Sequence, residues 1–122
     1  DRIDLRMELS PPPLAELSAA PRARRGPSGD ALAETARSAR QRALDRRGKP
    51  NVALDADELD ADAPLTGDAR RLLLSAAAER QFSARALQSL RRVARTVADC
   101  AAADEVSPEH FAEALALRAP WP

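Results

Sequence analysis

The sequence predicts an all-α fold, a small helical bundle of about four helices, preceded by an orphan strand and a flexible segment. Three observations carry this. Alanine supplies 28 of the 122 residues; it is the best helix former and a poor core filler, so the apolar content argues for closely approached helices around a modest core. From residue 30 onward, apolar side chains recur at helical spacing. Ser, Thr, Gly and Pro stand where such helices would begin and end. A domain of this size has little stability to spare, which fits a piece that docks on something larger.

The first element is the exception. In Asp1–Leu9, Ile3, Leu5, Met7 and Leu9 alternate with Arg2, Asp4, Arg6 and Glu8, the period of a strand with one buried face. No partner strand follows, and a lone strand can neither satisfy its backbone nor bury its face. Its sheet is therefore expected upstream of residue 1. Pro11, Pro12 and Pro13 end the strand, since proline cannot donate to a ladder. Residues 14–29, with Pro21, Gly26, Pro27, Gly29 and the basic cluster Arg22, Arg24 and Arg25, read as a solvated hinge. The chain divides into residues 1–27, a strand and linker, and residues 28–122, the helical domain. Residues 1–27 are expected to be poorly ordered in the isolated chain.

The first helix is expected over Asp30–Arg47, closed by Gly48 with Pro50 beyond, and carries a thin stripe of Leu32, Ala36, Ala39 and Ala43. A short helical turn falls around Asp55–Leu59. The second long helix begins at Thr66 as N-cap, with Leu65, Ala69, Leu72, Leu73 and Ala76 toward the core. The third starts at Ser83 and runs to Ala102. At about 100° per residue, Ala86, Leu87, Leu90, Val93, Ala94, Val97, Ala98 and Ala101 share one arc, while Arg85, Gln88, Arg91, Arg92, Arg95 and Asp99 fall opposite. Ser107-Pro108-Glu109 opens the fourth helix, whose inner face holds Phe111, Ala114 and Leu115.

Composition excludes several function classes. With 19 basic and 19 acidic residues, net charge gives no argument for nucleic-acid binding. One cysteine, Cys100, precludes an internal disulfide and a thiolate-rich metal site. No apolar run has the length of a membrane span or signal peptide, so a cytoplasmic protein with no membrane partner is the expectation. Gly48-Lys49 is followed by Pro50 where a phosphate-cradling loop needs a hydroxyl, so no Walker A loop is present. His110 has no second His or Cys beside it and reads as a first-turn residue near the Ser107 cap. Cys100 reads as a small buried hydrophobe. Asp55, Asp57, Glu58, Asp60 and Asp62 lack the spacing of a calcium loop and read as a solvated acidic connector. No metal ligand set is expected. What remains is arginine, whose permanently charged fork of donors suits phosphate oxygens.

Residues 83–118, SARALQSLRRVARTVADCAAADEVSPEHFAEALALR, resemble the C-terminal lid of magnesium-chelatase-like AAA+ ATPases of the ComM/YifB family. The match runs jointly through Ser-Ala-Arg opening a helix, then Arg-Val-Ala-Arg-Thr-Val-Ala-Asp, then Ser-Pro-Glu-His and Glu-Ala-Leu. The opening Asp-Arg-Ile-Asp-Leu is similar to the end of that family's ATPase core; residues 30–80 match in helix layout only. The resemblance implies that Arg2 is the arginine finger, reaching ATP on the next subunit of a ring. It implies that Arg85 is the sensor arginine at the ATP γ-phosphate. It further implies ATP and Mg2+ as cofactors of the intact protein, none bound by the fragment alone. The implied partners are the chain's own upstream AAA+ core and the neighbouring subunits of a homo-hexamer. DNA would be reached through the intact ring, in remodelling by branch migration. After Arg85 stand Ala86-Leu87, where members of the family often carry an aromatic, a departure that touches packing more than phosphate contact.

From spacing alone, Arg2 is equally an exposed strand residue and Arg85 a first-turn cation placed against the helix dipole. Two other readings stay open: a stand-alone helical interaction module using the arginine face of the third helix, and the lid of a true magnesium chelatase subunit. On the first reading the fragment is not itself an enzyme, for it carries no Walker A or B element.

Overall fold

In a computed structural model of the chain, residues 3–18 and 26–118 are described, and among them every regular element is helical. In chain order these are α1 (Leu14–Leu17), α2 (Gly29–Arg47), a 3-10 turn (Asn51–Ala53), α3 (Ala56–Asp62), α4 (Gly67–Arg80), α5 (Ala84–Cys100) and α6 (Pro108–Ala116). The expected all-α bundle is what forms. Arg2 and the cluster Arg22, Arg24 and Arg25 lie outside the described residues.

Local capping chemistry sets the helix starts. Ser28, Thr66 and Ser83 each accept a hydrogen bond from the backbone N–H three residues on, at 3.1–3.2 Å. Asp55 and Glu58 close a capping box on α3, each accepting the other's backbone N–H at 2.9 Å. At α6, His110 Nδ1 accepts from the Ser107 N–H at 3.1 Å and lies 3.1 Å from its hydroxyl, with Pro108 in the first turn. Gly48 ends α2 in the left-handed conformation at φ 72°. Pro64–Thr66 and Val106, which precede α4 and α6, pair as an isolated parallel bridge, so the two helices enter the bundle side by side.

The core gathers Leu54, Leu59, Ala76, Leu90, Ala94, Ala98, Val106, Phe111, Ala114 and Leu115, with Leu72, Leu73 and Val93 packed against it. The expected inner faces of α4 and α6 are found there. That of α5 is found too, except Ala101, which is exposed.

Several expectations need correction. Residues 3–9 form no strand: the alternating row finds no second strand among the described residues, and Ile3, Leu5, Met7 and Leu9 stay 59%, 53%, 71% and 82% exposed. Residues 14–17, expected as linker, form a helical turn, because Leu-Ala-Glu-Leu are good helix formers and the preceding Pro13 suits an N-terminal end. In α2 only Ala39 and Ala43 are buried; Leu32 and Ala36 are exposed because the helix projects beyond the bundle before its second half meets α5. Arg95 and Asp99 are core residues at 0% and 1% exposure, because the α5–α6 loop carbonyls enclose Arg95 while α2 and the 3-10 turn cover Asp99.

The acidic connector, expected as a solvated run, is folded into α3 and carries ion pairs. Asp62 bonds to Arg47, Glu58 pairs with Lys49 at 2.5 Å, and Asp60 pairs with Arg91 at 2.7 Å. Cys100, expected buried, is exposed at the last turn of α5. Partial burial of its thiol, with Asp99 and Glu113 nearby, pushes its pKa up.

Candidate functional site

Helix α5 carries four arginines, and the fold treats them differently. Arg95 is enclosed: its guanidinium donates to the carbonyl oxygens of Asp104 at 2.7 Å and Ala103 at 2.5 Å, and sits 3.0 Å from the Asp99 carboxylate. Desolvation lowers its pKa, opposed by Asp99. Asp99 also accepts from Arg46 of α2 and, at 2.8 Å, from Asn51 Nδ2. The four residues form one polar knot that fastens α2 and the 3-10 turn to the back of α5. Arg92 Nε donates to the Leu54 carbonyl at 2.8 Å. Arg91 is held on Asp60, with its side chain 17% exposed.

Arg85 is the remaining one. It stands exposed in the first turn of α5, and no hydrogen bond or ion pair engages it among the described residues. The helix behind it is fixed: Ser83 caps its start, and Ala86 and Leu90 anchor the same turns in the core. A permanently charged fork on a rigid mount, with its donors uncommitted, is suited to an anionic oxygen ligand. Arg2 cannot be placed against it, lying outside the described residues.

One turn further along the same face, Ser89 is 5% exposed. Its hydroxyl donates to Asp4 Oδ1 and accepts from Arg118 Nη1 at 3.2 Å. The Arg6 N–H donates to the Leu117 carbonyl at 2.6 Å. Residues 4–6 thus reach the bundle beside the helix that carries Arg85. Sequence reasoning missed Ser89, Asp4 and Arg118. The one signal available was a serine at the edge of the apolar arc of α5, a hydroxyl that needs a partner once buried.

Residues 26–118 match the family described as magnesium chelatase, subunit ChlI C-terminal. The chain is 35% identical over 119 residues to the uncharacterized protein YifB of Salmonella typhimurium, and 33% identical over 121 residues to YifB of Escherichia coli. It is 31% identical over 119 residues to the competence protein ComM of Haemophilus influenzae. Each alignment covers 98% of this chain and 23% of the relative, so the chain spans about a quarter of the length of the relatives it matches. The chain belongs to the magnesium-chelatase-like AAA+ family, through that family's C-terminal domain. Among the described residues no helix is long and apolar enough to cross a membrane.

Proposed function

We propose that this domain works as the C-terminal lid of a ring-forming AAA+ ATPase, with Arg85 as its γ-phosphate sensor and Arg2 as the finger offered to a neighbouring subunit. The observation that carries the reading is the selective treatment of arginines on α5: three are consumed in holding the fold, and Arg85 alone is presented without a partner among the described residues. Family membership supports it, as does the extent of the relatives beyond the matched region. In a loose phosphoryl-transfer transition state, charge spreads over the γ-phosphate oxygens, and a positioned guanidinium stabilises it. The ATPase core and Mg2+ would come from the rest of a longer chain, and the ring would be a homo-hexamer in the cytoplasm. Coupling to DNA remodelling by branch migration fits the similarity to ComM, a protein whose name ties it to competence.

The same observation disfavours a stand-alone interaction module, because the arginine face that such a module would offer is largely turned inward. The test is steady-state ATP hydrolysis by the longer protein. Arg85→Ala should lower turnover with the domain still folded, and the isolated domain should release no phosphate. Turnover equal to wild type in Arg85→Ala would remove Arg85 from the reaction.

A further inference from the structure

Two apolar cavities flank the last turns of α5 and share one wall. Thr96 and Cys100, a turn apart and both exposed, line both of them. On one side a cavity of about 300 Å³ runs between α5, the α2 stripe of Ala36, Ala39 and Ala43, and the 3-10 turn with Pro50 and Val52. On the other a cavity of about 350 Å³ is bounded by Val93, Val97 and Leu117, with Leu5 at its edge. The surface is thus a ridge with an apolar hole on either side, each large enough to take a leucine side chain. Arg40 stands exposed at the rim of the first hole, and no hydrogen bond or ion pair engages it among the described residues.

Helix α1 has the complementary shape. Leu14 and Leu17, three residues apart, share one face of the turn. They are 84% and 61% exposed, and no residue of α1 is buried. The turn is nonetheless ordered from within. The Leu17 N–H closes on the Pro13 carbonyl at 3.2 Å, and the Ser18 N–H and hydroxyl both donate to the Leu14 carbonyl at 3.1 Å. A preformed turn needs little further ordering to dock. Between the leucines, Glu16 is exposed and likewise without a partner among the described residues. Two leucines and a carboxylate match two holes and a guanidinium.

The chain's own α1 leaves these holes open. Residues 4–6 are fastened beside the second hole through Ser89 and Leu117, and Pro11, Pro12 and Pro13 follow. Three prolines make a stiff extended spacer of about 9 Å, which carries α1 off the bundle that anchors the segment.

We propose that α1 docks on a second copy of this chain, with one leucine on each side of the Thr96–Cys100 ridge and Glu16 on Arg40. Each copy then offers one α1 and receives another, a head-to-tail contact that closes into a ring where the rotation between copies allows it. For what the contact builds, the proposal rests on the ring-forming reading above; the contact itself involves neither Arg85 nor nucleotide.

Crosslinking tests it. Cys100 is the chain's one cysteine, and it stands on the ridge. Ser18, four residues from Leu14 and on the same face, is the place for a second thiol. One copy carries Ser18→Cys with Cys100→Ala, the other is wild type, and a mass tag on one tells mixed pairs from like pairs. Treated with a short bismaleimide, the mixture should give a mixed dimer whose yield rises with chain concentration. Leu14→Asp in the first copy should lower that yield about tenfold, as loss of an interface anchor does. Glu16→Arg should lower it severalfold, and Arg40→Glu in the other copy should recover it. Absence of the mixed dimer, or a yield indifferent to Leu14→Asp, overturns the proposal. So does a concentration-independent crosslink within a single copy carrying Ser18→Cys and native Cys100, for α1 then docks on its own bundle. If the longer protein forms a ring while the mixed dimer fails to appear, the ring reading stands and the contact falls. If the mixed dimer forms and the longer protein sediments as a dimer or an open chain, the contact stands and the ring reading falls.

Discussion

Arg95 and Asp99 stand one turn apart on α5 with guanidinium and carboxylate 3.0 Å apart, and both side chains are out of reach of water, at 0% and 1% exposure. On a solvated helix such a pair would contribute a few tenths of a kcal/mol. Here Asp99 balances two arginines, Arg95 beside it and Arg46 from α2, and takes a hydrogen bond from Asn51.

Asp99→Ala should therefore destabilise the domain by about 3–5 kcal/mol, the cost of leaving a buried charge unpaired. Urea denaturation of the variant against wild type measures it. A loss below about 1 kcal/mol would mean that water reaches Arg95 once the carboxylate is gone.

Arg85→Ala should leave stability within about 0.5 kcal/mol of wild type, since Arg85 is exposed and engages nothing among the described residues. In the longer protein the same change should lower ATP turnover, by on the order of 10³-fold if it acts as strongly as a trans arginine. Arg92 is unsuitable as the control despite its position seven residues on, because its Nε is bonded to the Leu54 carbonyl. Arg70 of α4 is exposed without such a bond and should tolerate alanine with turnover unchanged.

Acid should loosen the α2–α3 junction. Hydrogen bonding from Arg47 holds the Asp62 carboxyl below its ordinary pKa, and bonding from Lys49 does the same for Glu58. A carboxylate depressed in the folded state contributes stability that is fully present above its unfolded pKa, about 4. That contribution is lost as pH falls through the folded value. Thermal unfolding followed from pH 7 downward should show the midpoint falling below about pH 4, and Asp62→Asn should flatten that part of the curve. A variant with the same acid limb as wild type would place the sensitivity elsewhere.

The two halves of α2 should differ in dynamics. Residues 29–38 are exposed throughout, whereas Ala39, Ala43 and the Arg46–Asp99 contact fix the second half. Backbone amides of residues 33–38 should exchange at least about tenfold faster than those of residues 43–47, as expected for a segment with few buried contacts. Uniform protection along α2 would show that something else covers its first half.

What the sequence made legible were the features set by neighbours along the chain. Ser83, Thr66, Ser107 and Gly48 are caps because of chemistry within three or four residues, and each is where the spacing puts it. The apolar arc of α5 was legible for the same reason. Arg95 and Asp99 were not, because a helix wheel assumes one buried side, and here the α5–α6 loop, α2 and the 3-10 turn bury a second. A local hint existed: a cation four residues before an anion is the weaker order for a solvated pair. Arg85 was picked out by the resemblance of Ser83-Ala84-Arg85 to the family's helix start, and the structure adds its exposure. The fastening of Asp4 to Ser89 spans 85 residues of sequence and leaves no local trace.

Where α5 and α6 pack together, the core side is floored with methyl groups: Ala94 and Ala98 at 0% exposure and Ala114 at 1%. At these three positions there is no rotamer to change to take up a shift, and any larger residue would wedge the helices apart at about 1–3 kcal/mol. Close-packed interiors transmit strain and compress little. A push on Arg85 at one end of α5 would accordingly arrive at α6 almost undiminished, as motion passes through a tappet rather than a spring.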